Sequence, residues 1–253
     1  MVLRSNEAPR PRGRSFPVRY FPSIWCPLTP PSRAGLTGHL PVKLTPGVGE
    51  WYVIGQEKAM QETYRIILEA EESFARAVAL GVVVKRPLTP WHFIIPGMFI
   101  FDFLRRNSET RRYSEFFLFP RKTALDGTLD VLKGDDRKQV ISRVEEDIRQ
   151  WLISLKLYSE RLLRRHMEQI HLLIDHYITL FQVEGNSYPE LVRNAYETQD
   201  QFLGYLQRLA AAGQEVDAAV AEIHGKTPEI WERLRAEQVQ VEALRKKDVQ
   251  HIF

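Results

Sequence analysis

The sequence predicts an all-α protein, an antiparallel helical bundle with one or two long central helices and a disordered N-terminal extension. From about residue 51 onward, apolar residues recur at three- and four-residue spacing, which is typical of amphipathic helices. No alternating strand pattern is longer than a few residues. The hydrophobic fraction of 44% allows a sizeable core. Short connections between the helical segments favour antiparallel packing.

Residues 1–50 differ in composition from the rest and are predicted to be a disordered Pro/Arg-rich extension. Nine of the 15 prolines fall within residues 1–49, against one carboxylate, Glu7. Such a segment buries too little apolar surface to offset its ordering entropy. Two alternatives are a targeting peptide, which the prolines disfavour, and translation that starts at Met60. The intact mass of protein from its native host would test the second.

Charge and cysteine content narrow the function classes. Residues 1–59 carry a net charge of +5, which leaves −2 for residues 60–253, so the helical domain has no global basic surface for nucleic acid. The basic residues Lys156, Arg161, Arg164 and Arg165 are interpreted as forming intramolecular pairs. One cysteine, Cys26, excludes an internal disulfide and fits a cytoplasmic protein. No apolar run reaches the length of a membrane span.

The helical domain is predicted to cover residues 51–253. Its first helix carries the apolar residues Tyr64, Ile67, Leu68, Ala75, Val78 and Ala79. Between them lie Glu69, Glu71 and Glu72, which are interpreted as a solvated face. Gly81 is a predicted helix end, and Pro87 and Pro90 mark a linker.

A long helix is predicted over about residues 136–182, capped by Asp135 or Asp136 and preceded by a turn at Gly127 and Gly134. Its apolar residues advance by steps of four and three, the spacing found in coiled coils. The same pattern also fits two consecutive helices.

Three further helices are predicted after residue 182. Ser187 and Glu190 form a capping-box pattern that begins a helix ending near Gly213. A short helix covers 215–224, and Thr227-Pro228 begins the last helix.

The segment 91–122 is the most unusual part of the sequence. Pro96 suits the first turn of a helix over about 97–106 that is apolar on all sides. Between Lys85 and Lys122 the local charge is +5. The predicted contact residues are the apolar anchors Trp91, Phe99, Phe101, Phe103, Phe116 and Phe119, and the charged rim Arg105, Arg106, Arg111 and Arg112.

Three environments fit this segment. The other helices can cover it, so that it forms part of the bundle core. It can instead be an interface with a protein partner or with a second copy. A third alternative is an anionic membrane surface, with the aromatic residues at headgroup level and the cations on the lipid phosphates.

A metal site is a second candidate. Glu168 and His171 form a Glu-x-x-His pair, as in di-iron helix bundles, and Asp175 follows one turn later. The three residues fall within about 60° of one another on a helix, but about 110° from the apolar side. No second Glu-x-x-His is present, so the site would be incomplete, and solvated side chains paired with Arg164 or Arg165 are the alternative.

No motif for nucleophilic catalysis or phosphate binding is present, and no cofactor is predicted. We therefore expect a non-enzymatic interaction or assembly protein, cytoplasmic or peripheral to a membrane, that acts through residues 91–122. The alternative is a helical metalloprotein that uses Glu168, His171 and Asp175.

Overall fold

The computed structural model describes the backbone of residues 48–83, 96–225 and 227–253. Side chains are described for 57–83, 107–225 and 227–253, except Glu229. These residues form seven helices and no strand: α1 Val48–Val83, α2 Pro96–Leu132, α3 Arg137–Ser154, α4 Glu160–Phe181, α5 Tyr188–Tyr196, α6 Gln199–Ile223 and α7 Pro228–Ile252. The predicted all-α fold is confirmed. The predicted extension over residues 1–50 lies outside the described residues, apart from the first turn of α1.

The long helices run alternately up and down. Tyr64 contacts Asp126 and Phe74 contacts Phe117, so α1 and α2 are antiparallel. The same reversal relates α2 to α3, α3 to α4, α4 to α6, and α6 to α7, which also packs against α1. One end of the bundle therefore collects the ends of α1, α3 and α6 and the starts of α2, α4 and α7. We call it the α2-start end.

The central helix is α4. Ten of its 22 residues are buried, and they contact α2, α3 and α6. Its largest fully buried side chains are Leu162, Ile170, Leu173, Ile174, Tyr177 and Leu180. A helix buried on this much of its circumference must lie inside the bundle, as the apolar residues of the sequence predict.

The predicted helix over 136–182 is two helices. α3 ends at Ser154, and Lys156 takes a left-handed conformation with φ of 58°. The Ser159 side chain then accepts a hydrogen bond from the Leu162 backbone nitrogen at 3.1 Å and caps α4. This break lets α4 fold back on α3, which a continuous helix cannot do. Asp136 caps α3, as predicted.

Three predicted interruptions are wrong. α2 begins at Pro96 as predicted but continues to Leu132, well past residue 106 and through Gly127. A Cβ atom at Gly127 would lie 2.9 Å from Val144, so this glycine allows α3 to approach closely. α1 likewise passes Gly81, which faces Gln240 of α7, and α6 passes Gly213. Each glycine lies within a helix that packing stabilises.

The chain after residue 182 follows its capping signals in part. Ser187 caps α5, and Pro228 begins α7, both as predicted. The expected helix from 187 to 213 instead breaks at Glu197, whose φ is 43°, and restarts with Thr198 as the cap of α6. α6 then incorporates the short helix expected over 215–224, so that it packs along α4 as one long helix.

Candidate functional site

The predicted contact segment 91–122 lies mainly on α2. Trp91 is outside the described residues. The backbone of five further predicted contact residues belongs to α2, but their side chains are outside the described part: Phe99, Phe101, Phe103, Arg105 and Arg106. The remaining four, Arg111, Arg112, Phe116 and Phe119, are described.

Phe116 and Phe119 pack against other helices of the bundle, and Phe116 is also exposed at its surface. Their ring centroids lie 5.1 and 5.0 Å from that of Trp151 on α3, which in turn meets the edge of His166 on α4. Phe119 is partly buried, whereas Phe116 remains 39% exposed. Arg111 and Arg112 are exposed, and Arg111 pairs with Glu115 at 2.8 Å. Only Phe116 thus combines an aromatic ring with a solvent-facing position among the described anchors.

The start of α2 extends beyond the end of α1 and the start of α7 as the structure describes them. Phe117 packs against Phe74, nine residues before the end of α1, whereas α2 continues 21 residues back to Pro96. The difference of 12 residues corresponds to about 18 Å of helix. The Tyr113 hydroxyl donates a hydrogen bond to Glu237 of α7. Counted from this contact to the start of each helix, α2 extends about 12 Å beyond α7 at this end. The register therefore leaves about the first two turns of α2 without α1 or α7 beside them.

Exposed apolar side chains collect at the same end of the bundle. Eight large hydrophobic residues are exposed within the described ranges, and five of them lie at or near the α2-start end: Leu80, Ile153, Tyr158, Ile223 and Trp231. They belong to α1, α3, the α3–α4 connection, α6 and α7. Sequence reasoning did not group them because they belong to different helices and connections, and only the alternation of helix directions brings them to one end.

The predicted metal ligands are exposed on α4 and already paired in part. Glu168 accepts a hydrogen bond from Arg165 at 2.8 Å, and Asp175 accepts one from Arg137 of α3 at 2.6 Å. His171 is exposed. Within the described ranges, no group of three or more His, Cys, Asp and Glu side chains is arranged to hold a metal ion. The metal site stays a prediction that these contacts do not favour.

Two arginines of the basic strip pair with α6, as the sequence interpretation expects. Arg161 lies 2.6 Å from Glu222, and Arg165 lies 3.2 Å from Glu215. These contacts hold α4 against α6 and engage part of the positive charge.

A buried polar cluster was not predicted. Glu71 is 4% exposed, so its interpretation as part of a solvated face is wrong. One carboxylate oxygen lies 3.0 Å from Arg121 of α2, and the other accepts a hydrogen bond from the Tyr177 hydroxyl of α4 at 3.0 Å. Burial raises the pKa of Glu71, but the nearby Arg121 and Arg245 outweigh it and hold that pKa below its ordinary value. Glu71 is therefore a buried carboxylate ion.

His176 extends this cluster on α4. Its Nδ1 lies 2.6 Å from the Tyr196 hydroxyl, and its ring stacks on Tyr205 with centroids 4.2 Å apart. Burial lowers the pKa of His176 to about 3 and raises the pKa of Tyr188 to about 12. Both groups are thus neutral near pH 7. The cluster joins α1, α2, α4 and α5 through polar contacts, and α6 through the stacked ring of Tyr205, inside an otherwise apolar core.

The sequence did carry a signal for Glu71. It lies four residues after Ile67 and four before Ala75, in the middle of the apolar side of α1, where a solvated glutamate is out of place. Its partners could not be read in the same way, because Arg121 and Tyr177 are 50 and 106 residues distant.

Within the described ranges, no helix combines the length and apolar character that crossing a bilayer requires. The chain matches no family model, and comparisons with curated proteins and with solved structures found nothing similar to it.

Proposed function

We propose that this protein is a non-enzymatic peripheral membrane protein that docks on an anionic membrane through the α2-start end of its bundle. The observation that carries the proposal is the coincidence, at one end, of the protruding start of α2 and five exposed apolar side chains. Apolar surface concentrated at one place on a bundle marks an interaction site.

The dimensions and charges favour a membrane over a protein partner. Residues 96–104 contain eight non-ionisable residues and Asp102, and nine helical residues rise about 13 Å. That length is close to the roughly 15 Å of hydrocarbon in one leaflet. Arg105 and Arg106 follow directly and would lie at the lipid headgroups, where each cation contributes about 1 kcal/mol. Asp102 precedes them by three and four residues, the spacing at which opposite charges on a helix attract.

End-on insertion also explains why α2 lacks a polar face at its start. A helix that lies flat in the interface needs one polar and one apolar side. A helix end that enters the leaflet along its axis contacts lipid on all sides, and apolar residues all round suit that environment, which is the pattern of residues 97–101.

The test is co-flotation of the full chain with phosphatidylcholine vesicles, with and without phosphatidylserine, at low and high salt. We expect binding that requires phosphatidylserine and weakens with salt. Phe99→Ser/Phe101→Ser and Ile223→Ser/Trp231→Ser should each reduce it. The control is Phe253→Ser, since Phe253 is exposed but packs against Phe202 at the start of α6, at the opposite end of the bundle.

The absence of vesicle binding at either salt concentration would overturn the proposal. A shift to dimers with rising protein concentration, without vesicle binding, would assign the same surface to self-association instead. Equal loss in Phe253→Ser would show that general apolarity, rather than the α2-start end, governs binding.

A further inference from the structure

A pocket of about 260 Å³ opens between α1, α5 and α7, in the half of the bundle away from the α2-start end. Its walls are largely apolar and include Ala70, Phe74, Leu244 and Ile252. Its polar groups include Arg245 and Asp248 of α7 and Glu71 of α1. An apolar cavity with a few charged groups is the usual form of a small-molecule site.

Arg245 is the cation of this pocket. Its guanidinium carbon lies 3.8 Å from the centroid of the Phe74 ring, and its side chain is 13% exposed. The nearest described carboxylate is that of Asp248, at 3.5 Å from Nη1, which is too long for a strong charge-assisted hydrogen bond. Asp248 is itself 39% exposed and can turn toward water.

The second nearby carboxylate is already engaged. Glu71 uses one oxygen for Arg121 and the other for Tyr177, each at 3.0 Å. A guanidinium carries five N–H donors in a planar fork that matches a carboxylate. Arg245 therefore presents a stacked, nearly buried cation with unused donors at the wall of an apolar pocket.

We infer that this pocket binds a small organic monocarboxylate, with the carboxylate on Arg245 and the apolar body against Ala70, Phe74 and Leu244. Two arginines, Arg121 and Arg245, balance the two carboxylates Glu71 and Asp248 in charge, so a bound ligand carries one negative charge and takes the place of the half-exposed Asp248 on Arg245. The neighbouring Asp248 and Glu71 carboxylates would repel a phosphate with two charges more strongly than a monocarboxylate. An apolar cavity of about 150 Å³ holds benzene, so a pocket of about 260 Å³ has room for benzoate.

The test is ligand-observed NMR titration of the full chain with benzoate and with benzamide, which matches it in shape without the charge. We expect benzoate to bind and benzamide to bind on the order of 10- to 100-fold more weakly. Arg245→Met should abolish the preference for benzoate. Asp248→Asn should tighten benzoate binding, because a competing carboxylate is removed. Lys246→Met, exposed on the same helix, is the control and should leave it unchanged.

A protein that does not bind benzoate, or binds benzamide equally well, overturns the inference. So does benzoate binding that persists in Arg245→Met. If Arg245→Met does not fold, Ala70→Leu decides, since it narrows the pocket while keeping the cation. Loss of benzoate binding in that variant supports the site, and unchanged binding places benzoate elsewhere and refutes it.

Discussion

Replacing Arg121 by methionine tests whether the buried ion pair with Glu71 holds α1 and α2 together. The two side chains are 8% and 4% exposed, and Nη1 lies 3.0 Å from Oε2. Arg121→Met leaves the carboxylate buried with Tyr177 and the more distant Arg245. Breaking such a pair costs about 3–5 kcal/mol. The contact between Arg121 and the Phe117 ring, at 4.8 Å, is lost as well and adds to that cost.

The assay is urea unfolding of the full chain at pH 7 and pH 4.5, followed by circular dichroism. In the wild type the pKa of Glu71 is below its ordinary value of 4.5, so its contribution is present above pH 4.5 and is lost as pH falls through the folded-state pKa. Without Arg121, burial raises that pKa. The variant then loses stability as pH rises, and its deficit is larger at pH 7 than at pH 4.5.

The control is Arg137→Met, which removes an ion pair of 2.6 Å with Asp175 whose side chains are 49% and 61% exposed. Exposed pairs contribute about 0–1 kcal/mol, so this variant should remain close to the wild type. Glu71→Leu/Arg121→Met should recover part of the loss, because neither charge is then left buried. A deficit for Arg121→Met that matches the control and is the same at both pH values would refute the reasoning.

Two further predictions concern buried titratable groups. His166 is buried, its pKa is lowered to about 4 by burial, and its Nδ1 has no hydrogen-bond partner among the described residues. His166→Phe should match or exceed the wild-type stability at pH 7, because it removes an unpaired polar atom and keeps the ring against Trp151. As pH falls from 6.5 to 4, the unfolded wild type takes up a proton that the folded state does not, so the variant should gain about 1.4 kcal/mol per pH unit relative to the wild type. Parallel stability curves in urea unfolding would contradict this. Asp217 accepts a hydrogen bond from Gln238 at 2.6 Å, and burial raises its pKa to about 7. The stability it contributes is present below its ordinary pKa of 3.8 and is lost as pH rises through about 7, so Asp217→Asn should stabilise the protein by about 1–3 kcal/mol at pH 8 but not at pH 4. An advantage of equal size at both pH values in thermal unfolding would point to a cause other than ionisation.

Local signals in the sequence were sufficient for the helical class and for several helix starts. Asp136 and Ser187 cap the starts of α3 and α5, and α7 begins at Pro228. Side-chain capping and the absence of a backbone N–H in proline are signals that act within three or four residues, so the sequence shows them directly. Glycine was a weaker signal for helix ends than these residues were for helix starts. Gly81, Gly127 and Gly213 stay helical, since packing between helices exceeds the cost of about 1 kcal/mol for a glycine in a helix.

Segment 91–122 was recognisable from composition alone, because an all-apolar helix followed by arginines is visible in one stretch of sequence. The exposed apolar residues on the other helices, which complete the candidate membrane surface, were not recognisable in this way. Leu80, Ile153 and Trp231 belong to three different helices, and their shared position depends on which end of the bundle each helix reaches.

The sequence by itself determined that the chain forms helices, where several of them begin, and which segment is most apolar. Only the tertiary structure decided that Glu71 is buried against Arg121, that exposed apolar side chains gather at the α2-start end, and that Arg245 lines a pocket. The physical reason is the separation along the sequence between the residues that interact. Helix periodicity and capping depend on neighbours within one or two turns, whereas burial and charge pairing depend on residues 50 or more positions distant, whose proximity follows from how the helices pack.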